Sequence, residues 1–193
     1  MVQALTRRIS LADFLLQPET KPASEYVDGQ VIQKPMPQGE HSTLQRVLTR
    51  DIDNALSTLK IAHAYPELRC TFGGRSIIPD IAVFCWERIP RQSNGRVSNR
   101  FDLPPDWTIE ILSPDQKQTK VTRNILHCLS HGTKMGWLID PEESCIFTYQ
   151  PHQTPQIFDE PQMLLPFPSF ATRSSTFDGI ELTFKQLFDW IID

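Results

Sequence analysis

Two carboxylates stand where carboxylates are costly. Glu110 lies inside the apolar run Trp107-Thr108-Ile109-Glu110-Ile111-Leu112. Asp80 lies inside a second run, Ile77-Ile78-Pro79-Asp80-Ile81-Ala82-Val83-Phe84. β-Branched and aromatic residues at 107, 109 and 111 alternate with Thr108, Glu110 and Leu112, which fits a strand. A buried carboxylate needs a cation, a proton or hydrogen bonds to compensate it. One acid in each of two apolar strands suggests a pair of carboxylates meeting at one place. Read singly, Asp80 can start a strand or cap a turn. Glu110 can likewise form a structural ion pair with Arg or Lys.

The elements that must position these acids follow from pattern. Ser10 to Leu16 reads as a short helix with a serine cap, ended by Pro18 and Pro22. Glu25 to Ile32 reads as a hairpin turning at Asp28-Gly29, closed by Pro35 and Pro37. Leu44, Val47, Leu48, Ile52, Ala55, Leu56 and Leu59 recur at helical spacing from Glu40 to about Thr58. Strands are expected over 62–72 and 76–84, joined antiparallel at Gly73-Gly74. A helix from about Lys117 to His131 follows the turn Ser113-Pro114-Asp115 and stops at Gly132. It crosses between strands 107–112 and 134–140, a β-α-β element. A strand over 145–149, a Pro-rich stretch over 151–175 and a helix over 183–192 complete the chain. The expected fold class is α/β (α+β), with a mixed central sheet flanked by helices.

Residues 87–105 are polar and carry Arg88, Arg91, Arg96 and Arg100 against Glu87 and Asp102. They read either as a solvated surface loop or as an arm that contacts phosphates. The chain has 193 residues, a formal net charge of −4, 39% hydrophobic and 22% charged residues. It reads as one domain, with a core over about 10–150 and appended elements over 151–193. The charge excludes a general nucleic-acid coat protein, though not a nucleic-acid enzyme. The four cysteines, at 70, 85, 128 and 145, form no C-x-x-C, which argues against a zinc ribbon. A reducing cytoplasm is expected. Arg7 and Arg8 precede no apolar core of a signal peptide.

Five segments in order resemble a known family. They are Glu25-Tyr26-Val27-Asp28-Gly29, His41 opening a helix, Ile78-Pro79-Asp80-Ile81-Ala82-Val83, Glu110-Ile111-Leu112-Ser113-Pro114-Asp115 and Gly136-Trp137-Leu138-Ile139-Asp140-Pro141. The set resembles the Uma-two family of restriction-endonuclease-like proteins, abundant in cyanobacteria and part of the PD-(D/E)XK nuclease superfamily. That resemblance implies a metal-dependent endonuclease acting on nucleic acid, with DNA favoured. It implies Mg²⁺ or Mn²⁺ on Asp80, Glu110 and the main-chain carbonyl of Ile111. It also implies a supporting acid at Glu25. The superfamily often places a lysine two residues after the glutamate, but Leu112 stands there. The family's shifted lysine position, on the following helix, aligns with Asn124. Lys120, one turn earlier on the same face, is therefore expected to stabilise charge. His41 could approach phosphate as a proton carrier or bond its own loop. His127 and His131, four apart, permit chelation, but no third ligand is evident. The alternative function is a catalytically inactive nuclease fold acting as a nucleic-acid or protein interaction module. Apolar residues in 151–193 raise a homodimer as an expectation.

Overall fold

The computed structural model describes residues 9–114, 116–172 and 179–192. Arg7, Arg8, Asp115 and residues 173–175 of the Pro-rich stretch lie outside them. Helix α1 (Leu11–Leu15) is capped by Ser10, whose side chain accepts from the Asp13 amide. The hairpin strands β1 (Ser24–Val27) and β2 (Gln30–Gln33) follow, then helix α2 (Gly39–Leu56). Strands β3 (Ala62–Pro66), β4 (Cys70–Phe72), β5 (Arg75–Ile77) and β6 (Ile81–Cys85) lead to the 86–106 loop. Then come β7 (Trp107–Ile111), α3 (Gln118–Ser130), β8 (Met135–Asp140), β9 (Cys145–Tyr149), β10 (Gln156–Phe158) and α4 (Phe184–Asp189).

The strands form two sheets. The larger has the order β10-β9-β8-β7-β6-β3 and the smaller β2-β1-β5-β4. β7 and β8 are parallel, with α3 as their crossover, and the other neighbours are antiparallel. This is the expected mixed sheet, with two strands divided. The expected strand 62–72 breaks after Pro66, where Glu67 takes a left-handed backbone (φ 49°). The expected strand 76–84 breaks at Ile78-Pro79-Asp80, where proline has no N–H to give a ladder. At each break the chain passes from one sheet to the other. The Glu67 amide donates to the Asp80 carbonyl at 3.1 Å, tying the two crossings together.

Burial alternates along the central strands as their period requires. One face of β6, β7 and β8 puts Ile81, Val83, Trp107, Ile109, Ile111, Trp137 and Ile139 into the main core, against Leu44, Leu48, Ile52 and Leu56 of α2. α4 closes the same core with Phe184, Leu187 and Phe188. It is shorter than the expected 183–192 helix and begins at a reciprocal cap between Thr183 and Gln186. The opposite face carries Ala82 and Phe84 against the small sheet, and Leu138 against Val121 and Ile125 of α3. The 86–106 loop has little regular structure, as expected. It is nevertheless anchored, because Ile89 and Phe101 are buried in the second cluster. The Pro-rich stretch supplies β10 and a turn of 3₁₀ helix at Ser169–Ala171.

Candidate active site

Strand register brings the two acids face to face. Ile81 stands opposite Ile109 and Ala82 opposite Thr108. One step further along this antiparallel pair sets Asp80 opposite Glu110. Both therefore point away from the main core, towards α3 and the small sheet. The exposures of Asp80 and Glu110 are 3% and 4%.

Asp80 is held from three elements. Its Oδ2 accepts the Ile111 amide at 2.7 Å and lies 3.2 Å from His41 Nε2, in the first turn of α2. Gln45, one helical turn after His41, donates to the Asp80 carbonyl at 2.8 Å. Its Oδ1 accepts from Lys34 Nζ at 2.7 Å. Lys34 also donates to the Ile78 carbonyl at 2.7 Å and stands 3.9 Å from Glu110 Oε2. The third acid, Glu25 of β1, is buried; it accepts the Ile78 amide at 2.7 Å and the Asn124 side-chain amide at 3.2 Å.

Glu25, Asp80, Glu110 and His41 are thus brought together. Lys120 is not tied to them: its side chain is exposed, beyond the buried stripe Val121, Ile125 and Cys128 that seats α3. The cation between the acids is Lys34, which the sequence reading did not single out. A signal for it exists. Glu25 faces Ile32 across the hairpin, and Lys34 lies two residues further, on the same face. The Lys34 amide donates to the Ala23 carbonyl at 2.9 Å, so the hairpin ladder continues past the expected end at Ile32. Asn124, at the aligned lysine position, holds Glu25 in place of carrying charge.

The arginines of the 86–106 loop lie elsewhere. The loop leaves β6 at Cys85, the end opposite Asp80. Arg88 pairs with the buried Asp106, Arg91 stacks over Trp86 and Arg100 pairs with Asp102. Arg96 is exposed. His127 and His131 are also accounted for by packing. His127 stacks on Phe72 and bonds its carbonyl oxygen at 3.2 Å, while His131 Nδ1 bonds the His127 carbonyl oxygen at 2.8 Å.

The site has a surplus of negative charge. Burial pushes the Glu110 carboxyl well above the usual range, and Asp80 and Glu25 add to it against the pull of Lys34. Burial also raises Glu25, offset in part by Lys34 and by its hydrogen bonds to Ile78 and Asn124. For Asp80, burial is outweighed by Lys34 and His41, which hold it below the carboxylate range. Burial disfavours the Lys34 ammonium, but the three acids outweigh it and raise its pKa. Lys34 therefore stays charged. Glu110 is the under-compensated member, facing its nearest cation at 3.9 Å.

These residues fit a hard divalent cation, which takes oxygen ligands and needs few of them from protein. Asp80 and Glu110 offer carboxylates. A strand residue directs its N–H and C=O to the same neighbour. The Ile111 carbonyl therefore faces the side on which its amide meets Asp80. Among the described residues no three His, Cys, Asp or Glu side chains form a metal cage on their own. A cleft of about 390 Å³ opens at Asp80, lined also by Pro22, Lys34, Met36, His41 and Gln116 among others.

Comparison with known proteins places the chain in a family. No curated protein matches the chain. A crystal structure described as a "putative nuclease", from Anabaena variabilis, superposes with a TM-score of 0.90 at 57% identity, covering 95% of this chain and 99% of that one. The family model Uma2, described as "Putative restriction endonuclease", matches residues 11–182. With that match over most of its length, the chain belongs to the Uma-two family, and its fold is that of a nuclease.

Proposed function

We propose that this protein is a Mg²⁺- or Mn²⁺-dependent nuclease that hydrolyses phosphodiester bonds of nucleic acid. The observation that carries the proposal is the buried cluster of three carboxylates, Glu25, Asp80 and Glu110, around one lysine ammonium. Such a cluster lacks positive charge, and family membership gives the lack a purpose.

Asp80, Glu110 and the Ile111 carbonyl would hold the metal. When bound, it supplies an activated water and neutralises charge on the phosphate. The chain does the rest. Lys34, kept protonated by its neighbours, stabilises the negative charge that builds up on the phosphoryl oxygens and does not serve as a base. His41 and Gln45 fix the side chain and backbone of Asp80. Glu25, held by Ile78 and Asn124, accepts from a water or supports the ammonium. Burial makes the interactions among these charges stronger than they would be in water.

The direct contact between Lys34 and Asp80 favours one competing reading. The ammonium partly compensates the acids itself, as in a non-catalytic interaction module. Calorimetric titration with Mn²⁺, on wild type and on the Asp80→Asn/Glu110→Gln variant, separates the two. The nuclease reading expects binding by wild type, loss in the variant, and hydrolysis that disappears in Lys34→Gln while metal binding remains. Hydrolysis at the wild-type rate by the Asp80→Asn/Glu110→Gln variant would overturn it.

A further inference from the structure

We infer that the strand this site takes is single-stranded nucleic acid, or a frayed end, guided by the basic face of α3. The inference rests on the nuclease reading for its purpose, but it concerns a surface outside the acid cluster.

The first observation is the shape of the site. The three carboxylates are at most 7% exposed, and the cleft reaches them at Asp80, beside Lys34 and His41. The cleft volume, about 390 Å³, is near the lower end of the roughly 300–1,000 Å³ of pockets that take one small molecule. It admits a nucleotide-sized group. A base-paired strand would have to leave its stack to reach Asp80, a cost that a free strand does not incur. One wall is the segment Lys34-Pro35-Met36-Pro37, with Pro22 beside it. Met36 is 65% exposed. These are apolar surfaces against which an unpaired base or sugar can lie.

The second observation is charge. The cleft is also lined by Ser113 and Gln116, the latter just before α3. From Gln116 to Ile139 this acidic chain carries Lys117, Lys120, Arg123 and Lys134, and no Asp or Glu. Lys117, Lys120 and Arg123 are exposed. They fall on the flank of α3 that also presents Asn124 to Glu25, at spacings that stack residues along one side. The flank therefore starts at the cleft mouth and runs past the site. Exposed Lys21 and Glu67 also line the cleft, one of each charge. A row of cations ending at a pocket fits a flexible phosphodiester chain, whose backbone follows the row while one nucleotide enters.

The test is fluorescence anisotropy with a labelled oligonucleotide, single-stranded and as its duplex, in EDTA so that no cleavage occurs. Wild type is expected to bind the single strand at least tenfold more tightly than the duplex. In Lys117→Ala/Lys120→Ala/Arg123→Ala the slope of log affinity against log salt should fall by about 2, as expected for three lost contacts at roughly 0.7 each on single strands. The charge-preserving Lys117→Arg/Lys120→Arg/Arg123→Lys variant should keep the slope, and thermal melting checks that both variants fold. Equal or tighter duplex binding, no binding to either, or an unchanged slope in the alanine variant would each overturn the inference. Strand binding in EDTA does not depend on the metal. Failure of Mn²⁺ titration alone would therefore remove the nuclease reading and leave this one standing.

Discussion

The two sheets contribute to one site in different ways. The six-stranded sheet holds Glu110 in β7, whose five residues are all buried, and sets Asp80 at the end of β6, also fully buried. The four-stranded sheet supplies Glu25 from β1, and Lys34 from the residue after β2, a strand whose positions are mostly exposed. One half is fixed by a core on both faces. The other is fixed by a hairpin, its turn residues Asp28 and Gly29 both left-handed and Asp28 clasped by Arg75 at 2.8 Å. The site thus joins a rigid pair of acids to a third acid and an ammonium delivered on a lighter element.

The largest expected effect comes from breaking the link between the halves. Lys34→Met leaves Asp80 and Glu110 facing each other without their ammonium, and should cost about 3 kcal/mol, the lower range for breaking a buried pair. Urea unfolding measures it. Adding Glu110→Gln should recover most of the loss, and a full loss in the double variant would mean that Lys34 acts through packing instead. A pair of glycines then sharpens the comparison. In β8, an added Cβ at Gly136 would lie 2.3 Å from Ile125 Cγ2, inside packed core. Gly136→Ala should cost about 1–3 kcal/mol. In the small sheet, a Cβ at Gly73 would meet the exposed His131 ring, able to swing away, and would also lie 2.8 Å from Cε1 of the buried His127, at a positive φ of 56°. Gly73→Ala should therefore cost about 2 kcal/mol, its backbone conformation alone contributing about 1–2 kcal/mol, and a cost well below about 1 kcal/mol would show that the small sheet yields where the large one does not.

A smaller effect depends on pH. Burial lowers the pKa of His127 below the usual imidazole value of 6.5, with Arg75 and His131 adding to it against the bond to Phe72. A depressed folded-state pKa contributes stability that is present above 6.5 and lost as pH falls through the folded value. His127→Gln, which keeps a donor for the Phe72 carbonyl, should flatten the fall in urea midpoint on the acid side. An unchanged acid limb would show that His127 is not its source. The smallest expected effect lies in the 86–106 loop. Arg96→Ala should leave oligonucleotide affinity within about twofold, as for loss of at most one exposed phosphate contact. A larger drop would move the strand path from α3 to this loop.

The large sheet was legible in the sequence because burial on both faces leaves a strong mark. β7 and β8 are short, mostly apolar runs, and α2 and α3 show their stripes at helical spacing. Glu110 and Asp80 stood out there because the runs around them are apolar. The small sheet leaves little trace. β4 and β5 have three residues each, too few for alternation to show, and they merge in sequence with β3 and β6. What separates them is a change of sheet at Glu67 and at Pro79-Asp80, a tertiary event with only the proline as a local sign. Lys34 was missed for a related reason. Pro35 suggested that the hairpin had already ended, whereas the ladder carries on to Ala23. The expectation of Lys120 followed helix spacing alone, which finds the right flank of α3 but not the depth at which a side chain meets the acids.

The continuation of that ladder to Lys34 has one more consequence. β2 is an edge strand, so its bonds are among those that open first when a protein fluctuates locally. Loosening it at Ala23 would free the backbone that carries the ammonium, while Glu25 stays bonded to Ile78 and Asn124 and Asp80 and Glu110 stay anchored by the Ile111 amide and the β6–β7 register. The hairpin is in this sense a reversible fuse. A few main-chain bonds at a sheet edge thus set the position of the cation between the acids, and they can break and re-form while the core stays intact.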